Sequence, residues 1–283
     1  MTATLKTLLR QGQQQLAKSS ESPRLDAEVL LGYVLQTNRA HLYANPDHEI
    51  AAVKQAAYEQ LVKERLTGRP VAHLTGQREF WSLPFHVTPE VLSPRPETEL
   101  LVEQALKHIP AEQACEVLDL GCGSGAIAVA IAIERPLCKL TATDVSKAAL
   151  NIARDNAASN HCAHIHFLEG SWFSPLGAQR FDVIVSNPPY IATSEAELTD
   201  PELVYEPQHA LYSGADGLDD IRRIISAAQA HLHRAGILLI EHGFNQANEI
   251  SSLFTQYNFA EVRNHADLAG QPRVTEGQLA IRD

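Results

Sequence analysis

Apolar residues recur at helical spacing through residues 2–66. Leu5, Leu8, Leu9 and Leu16 share one helical face, and Ala27, Leu30, Leu31 and Val34 share another after a start signal at Ser22-Pro23. Val53, Ala56, Ala57 and Leu61 make a third stripe, which Thr67-Gly68-Arg69-Pro70 ends. The pattern predicts a small helical bundle whose stripes face its own core. From Gly76 to Pro96 the texture changes. Phe80, Trp81, Phe85 and Val87 sit among prolines, which predicts a short hairpin or extended linker. Pro94-Arg95-Pro96-Glu97-Thr98-Glu99 then opens a helix. Pro96 suits its first position, and the glutamates suit its positive end.

After residue 112 short apolar runs alternate with helical stretches. Strands are predicted at 115–120, 139–144, 164–168, 181–186, 236–242, 258–263 and 277–281. Such alternation means an α/β fold, with a parallel sheet covered on both faces. The last two strands have only a loop around Leu268-Ala269-Gly270-Gln271-Pro272 between them, so they are expected to pair antiparallel. The resulting organisation is a helical domain at 1–74, a linker at 75–95 and an α/β domain at 96–283.

Two strand ends carry chemistry. The first runs through Asp119-Leu120 into Gly121-Cys122-Gly123-Ser124-Gly125, and a helix follows at once. Glycines at such a turn let a ligand approach the backbone, because no Cβ intervenes. The next strand ends in Asp144, about 20 residues on, where a carboxylate would meet a ribose diol. These features predict an adenosine-type ligand. A nicotinamide dinucleotide would also suit the glycines, but Asp119 would set a negative charge beside its phosphates. A cationic ligand such as the amino-acid end of S-adenosylmethionine fits better. The second strand end is Asn187-Pro188-Pro189-Tyr190, after the apolar run 181–186. The prolines forbid further ladder pairing and stiffen the tip. It offers an amide, unpaired carbonyls and an aromatic face, which together suit a planar NH2 group.

Composition narrows the classes. The 283 residues are 45% apolar and carry a formal charge of −11. That charge argues against bulk electrostatic binding to nucleic acid, so no stable nucleic-acid partner is expected. Cys115, Cys122, Cys138 and Cys162 show no metal spacing and read as reduced thiols. His161, His164 and His166 lack a carboxylate at ligand spacing, and no metal is expected. No apolar run approaches the roughly 18 residues that span a bilayer, and the N-terminus does not read as a signal peptide. The expected setting is cytoplasmic, without membrane contact.

The residues then resemble a known family. Asp119 through Gly125 is similar to the S-adenosylmethionine motif of class I methyltransferases, and Asn187 through Tyr190 to the signature of those that methylate planar NH2 groups. Arg95-Pro96-Glu97-Thr98-Glu99, Tyr205-Glu206-Pro207, Gly214-Ala215-Asp216-Gly217-Leu218, Glu241-His242-Gly243 and the N-terminal Asp26-Ala-Glu-Val-Leu-Leu31 resemble the HemK-like release factor glutamine methyltransferases. The resemblance covers essentially the whole chain. It implies a doubly wound, mostly parallel seven-stranded sheet, a small all-α N-terminal domain that helps grip a protein substrate, and a β-hairpin linker. It implies S-adenosyl-L-methionine as cofactor, with S-adenosyl-L-homocysteine as product, held by Asp119, Gly121, Cys122, Gly123, Ser124, Gly125, Asp144, Trp172 and Asn187. It implies as substrate the glutamine of the Gly-Gly-Gln motif of class I peptide chain release factors, held by Asn187, Pro188, Pro189 and Tyr190. Two positions depart from the family pattern: Cys122 stands where Thr is common, and Ser171 where an acidic residue is common.

Chemistry sets the expected mechanism. An amide nitrogen is a poor nucleophile because its lone pair is delocalised. No side chain has a pKa suited to removing its proton first. Asn187 Oδ1 and the Pro188 carbonyl are therefore expected to accept its two N–H groups and aim its lone pair, with Tyr190 packed on the amide plane. The alternative is an amino-methyltransferase for N6 of adenine or N2 of guanine in DNA or RNA, which would need base flipping. A dinucleotide-dependent oxidoreductase would need an acid/base pair that the sequence does not offer. A catalytically silent interaction module sits poorly with two intact motifs.

Overall fold

The computed structural model describes residues 3–198 and 201–280. Thr2 and Ile281, at the ends of the predicted helical and strand ranges, lie outside the described residues. The chain divides into two compact units. One is built from the chain up to Gln77 together with the segment ending at Tyr205; the other takes in the rest from Arg78 onward.

In the first unit a two-residue strand, β1 (Ala3–Thr4), pairs antiparallel with β2 (Glu49–Ile50). The helices are α1 (Leu5–Leu16), α2 (Pro23–Leu35), α3 (Arg39–Ala44), α4 (Ala52–Leu66) and α5 (Val71–Thr75). Leu5, Leu8, Leu16, Ala27, Leu30, Leu31 and Val34 join one core, as the first two stripes predicted. The third stripe is corrected. Val53, Ala56 and Ala57 are exposed, and α4 instead turns Tyr58, Val62 and Arg65 inward, with Leu61 half-buried. Gly12 makes room for the Tyr58 phenol, whose oxygen would lie 2.0 Å from a Cβ there. Arg65 tolerates burial because its Nε donates to Asp26 Oδ2 at 2.7 Å and its Nη2 donates to Glu202. A hydrophobic pattern does not count a paired arginine as an inward residue. The short β1, β2 and α5 carry no periodicity long enough to read.

A hairpin of β3 (Gln77–Phe80) and β4 (Leu83–His86) follows, in the second unit from Arg78 on, and in it Phe80 and Phe85 meet edge to face at 6.1 Å. A 3₁₀ turn at Pro96–Thr98 leads into α6 (Glu99–His108). There follow β5 (Glu116–Leu120), α7 (Ala126–Glu134), β6 (Lys139–Asp144), α8 (Lys147–Ser159), β7 (His166–Glu169) and β8 (Phe181–Ser186). The chain closes with α9 (Asp219–His231), β9 (Leu232–Glu241), α10 (Ala247–Gln256), β10 (Phe259–Ala266) and β11 (Pro272–Leu279).

The seven strands lie in the order β10-β11-β9-β8-β5-β6-β7. β6, β7, β8 and β9 join the sheet in parallel with β5, while β11 runs antiparallel between β9 and β10. Val117 and Val183 face one core with Val129, Ile131 and Leu150; their neighbours Leu118 and Ile184 face another with Ile221, Ile225 and Phe254. Burial on both faces is why these strands read as continuous apolar runs. From β5 the chain goes to β6 and β7 on one side, then returns to β8 and β9 on the other. The carboxyl ends of β5 and β8 thus flank the point where the strand order reverses, the place where open α/β sheets bind ligands.

Candidate active site

The glycine turn is shaped for close approach. Gly121, Gly123 and Gly125 have φ of +71°, +53° and +79°, the left-handed region that L side chains avoid. The amides of Gly121 and Cys122 donate to the Thr143 carbonyl at 2.8 and 3.0 Å, which ties the turn to the end of β6. A Cβ on Gly125 would lie 3.0 Å from Ala153 of α8, so glycine is needed there for packing. At Gly123, among the described residues, nothing lies within 4 Å of where a Cβ would sit. The turn is therefore open at its middle and packed at its end.

Asp144 lies directly across from that open residue. Its Oδ2 accepts from the Gly123 amide at 2.9 Å and its Oδ1 from the Ser146 amide at 2.8 Å. Each oxygen keeps one lone pair for a further donor. Trp172, held at φ +49°, lays its ring beside the turn, 3.0 Å from where a Gly121 Cβ would be. Its Nε1 donates to Asp220 Oδ1 at 3.3 Å, and Asp220 Oδ2 accepts from Ser213 Oγ at 2.7 Å. Sequence reasoning gave Asp220 no role; its position opening α9 is an ordinary acidic helix start, which hides the contact. Cys122 and Ser124 are buried within the turn.

The tip at 187–190 is anchored from both sides. Ser186 Oγ donates to the Leu120 carbonyl at 2.8 Å, joining β8 to the glycine strand. Beyond the tip, the Ile191 amide donates to the Leu211 carbonyl and the Ser213 amide to that of Ile191. Gln246 Nε2 donates to the Tyr190 carbonyl at 2.9 Å. Pro188 and Pro189 are buried, while Asn187 and Tyr190 are half-buried. Asn187 Nδ2 donates to Thr98 Oγ1 at 3.1 Å. That donation engages the NH2 end of the amide and leaves Oδ1 as its acceptor end. Burial pushes the Tyr190 phenol well above its usual range, so the ring stays neutral. Arg95, part of the motif that carries the resemblance, pairs with Glu206: its Nη2 donates to Oε2 at 2.6 Å, and Glu206 Oε1 accepts from the Ser93 amide.

Two buried carboxyls set the electrostatics. Burial pushes Asp119 up to about 7; the Ala128 amide acts the other way, and Asp144 adds to the rise. Among the described residues neither Asp119 oxygen makes a full hydrogen bond. Burial likewise pushes Glu241, at the end of β9, up to about 7, opposed by Thr98, Arg273 and Asn187 and helped by Glu97. A cationic, diol-bearing ligand answers the features of the first half of the site: an under-partnered acid beneath an open glycine turn, and a second acid with spare lone pairs. Those residues fit S-adenosylmethionine.

A doubly wound sheet of this order, with a glycine turn on its first parallel strand and Asn-Pro-Pro-Tyr at the tip beside it, defines the domain as a methyltransferase. A family model described as a methyltransferase small domain matches residues 96–218, and one described as the PrmC N-terminal domain matches residues 7–76. The chain is 45% identical over 261 residues to the release factor glutamine methyltransferase of Coxiella burnetii, covering 92% of this chain and 94% of that protein. It is 39% identical to that of Aliivibrio fischeri over 99% of both chains, and 42% identical to that of Escherichia coli over 95% and 97%. The chain belongs to the release factor glutamine methyltransferase family. Solved structures add the fold: a Pyrococcus furiosus methyltransferase (TM-score 0.53, 19% identity, 70% of this chain and 90% of that one) and the hMettl16 catalytic domain (TM-score 0.58, 15% identity, 75% and 81%).

Proposed function

We propose that this chain transfers a methyl group from S-adenosyl-L-methionine to the side-chain amide nitrogen of the glutamine in the Gly-Gly-Gln motif of class I peptide chain release factors. The observation that carries the reading is the meeting of the glycine turn, Asp144 and Asn187 at adjoining strand ends, tied by Ser186 Oγ to the Leu120 carbonyl. Membership of a family whose relatives bear that activity in their names supports the substrate.

In this reading the glycine turn and Asp119 receive the amino-acid end of the cofactor, Asp144 its ribose hydroxyls, and the Trp172 ring lies at the side of the same pocket. When bound, the cofactor supplies a methyl group on a cationic sulfur. The protein's own residues do the rest. Asn187 Oδ1 and the Pro188 carbonyl accept the two N–H groups of the target amide, which holds its nitrogen pyramidal. The Tyr190 ring packs on the amide plane and keeps water away from it. Glu241, at about 7, is far too weak a base to deprotonate an amide, so positioning and aligned dipoles carry the rate.

The test is methyl transfer from radiolabelled S-adenosylmethionine to a purified bacterial release factor, its Gly-Gly-Gln→Gly-Gly-Ala variant, DNA and ribosomal RNA. Label in the intact factor alone is the expected result. Label in nucleic acid and none in the factor would overturn the substrate and keep the cofactor.

A further inference from the structure

We propose that Glu241 is a positioning residue for methyl transfer: with Thr98 it holds the NH2 group of Asn187, so that Asn187 Oδ1 faces the target amide. The inference rests on the role given above to Asn187 and asks what sets that side chain's orientation.

An asparagine amide is nearly symmetric in shape, and turning it over exchanges an acceptor for a donor. A site that must accept two N–H groups fails if the NH2 end faces the substrate. Something behind Asn187 must therefore prefer the NH2 end. The chain supplies the neighbour. β8 and β9 run parallel with Ser186 opposite Ile240 as their last register pair, and Asn187 and Glu241 are the residues that follow those two. The 3₁₀ turn before α6 brings the third member. Thr98 is buried, and its hydroxyl accepts from Asn187 Nδ2 at 3.1 Å. That leaves the Thr98 proton free for a further acceptor, and Thr98 and Asn187 both favour the ionised form of the neighbouring Glu241 carboxyl. An ionised carboxylate only accepts. It therefore admits the NH2 of Asn187 and repels the Oδ1.

The placement is costly for a merely structural residue. Glu241 is almost fully buried, and among the described residues its Oε2 makes no hydrogen bond. A leucine would fill the end of a buried strand without that penalty. The charged and titratable groups facing it are Glu97 from the turn, Arg273 from β11, Tyr190 from the tip after β8, and His242 next along its own chain. Burial is the largest influence and raises the carboxyl to about 7. Protonated, it becomes an O–H donor and competes for Asn187 Oδ1. Turnover should then be full above the pKa and fall as pH drops through it. A bound cationic cofactor would draw the inflection below 7.

The experiment measures kcat, KM and cofactor affinity across about pH 5.5–9 for the wild type, Glu241→Gln, Glu241→Ala, Thr98→Val and Asn187→Ala. In the wild type kcat should lose activity on the acid side. Glu241→Gln, which like the protonated acid carries both an acceptor and a donor but cannot titrate, should remove that acid limb and hold kcat near the wild type's low-pH level at every pH. Glu241→Ala should lower kcat by about 100-fold while KM and cofactor affinity hold within about threefold. Thr98→Val should fall between the two. An acid limb that persists unchanged in Glu241→Gln overturns the inference, and this readout stands even if Glu241→Ala does not fold. A folded Glu241→Ala with normal kcat also overturns it. Should Asn187→Ala itself keep normal turnover, the underlying role of Asn187 fails and takes this inference with it. A dead Asn187→Ala beside wild-type behaviour in the Glu241 variants would sink the inference alone.

Discussion

Asn187 and Asp144 stand at the ends of β8 and β6, on either side of β5, and are asked for different things. Asn187 is to hold the substrate, so its loss should strike turnover. Asn187→Ala is expected to lower kcat by about 100- to 1,000-fold, in the range seen when one preorganised dipole is lost, with cofactor affinity within twofold or so by calorimetry. Asp144 also closes the turn through the Gly123 and Ser146 amides. Asp144→Ala should weaken cofactor binding by roughly 10- to 100-fold, since it removes both a charged acceptor and the turn's brace. A variant that binds normally would exclude Asp144 from the cofactor site. Both residues could be picked out as candidates from the sequence, because a strand-end acid after a glycine turn and an amide before two prolines each carry their chemistry locally. Thr98, Glu241 and Asp220 could not. Their places beside the site come from strand pairing and a helix turn that join positions far apart in the chain, as when Asn187 meets Thr98 across 89 residues.

At the level of elements, the tip at 187–190 depends on what packs behind it. Gly217 has φ +77°, and a Cβ there would lie 2.2 Å from the Tyr190 carbonyl oxygen. Gly217→Ala should therefore displace the tip, costing about 1–2 kcal/mol for the left-handed backbone alone. Stability by denaturant unfolding should fall and kcat should fall further, with cofactor affinity spared. In the first unit, Arg65 is buried against Asp26 at 2.7 Å. Arg65→Met removes the charge partner and leaves that aspartate the Ser20 and Ser22 hydroxyls, so it should destabilise the unit by less than the roughly 3–5 kcal/mol of a fully uncompensated buried charge, read as a lower urea midpoint. Periodicity found the sheet strands but misjudged some of their ends. β9 starts at Leu232, straight out of α9, where a strand was expected from 236. β11 starts at Pro272, not 277, because a proline is tolerated as the first residue of even a central strand. The start of β9 carries no turn signal, whereas the turn at Asp267–Gln271 closes directly before Pro272, so β11 begins as soon as that turn ends.

For the molecule as a whole, the four cysteines are free and buried. Burial pushes Cys115 up to about 12 and Cys138 to about 11, and holds Cys122 and Cys162 above the usual thiol range. Few thiolates exist at neutral pH, and the thiolate is the reactive form. A thiol reagent should modify the native protein slowly and all four cysteines rapidly once it is unfolded. Fast labelling of the native chain would contradict this burial.

Asp119 carries one more consequence, in the protein's exchange of protons with its solvent. Its folded pKa of about 7 lies far above the usual aspartate value of 3.8. A raised carboxyl contributes stability that is complete below the unfolded pKa and is lost as pH rises through the folded one. The ligand-free chain should therefore melt at progressively lower temperature from about pH 4 to about pH 7 and level off above that, and Asp119→Asn should make the slope shallower, the part left being that of Glu241. A cationic ligand settling over the carboxylate lowers its pKa again, so binding near neutrality should expel a proton. The heat of cofactor binding will then depend on the buffer that takes the proton up, differing between phosphate and Tris in the wild type and converging in Asp119→Asn.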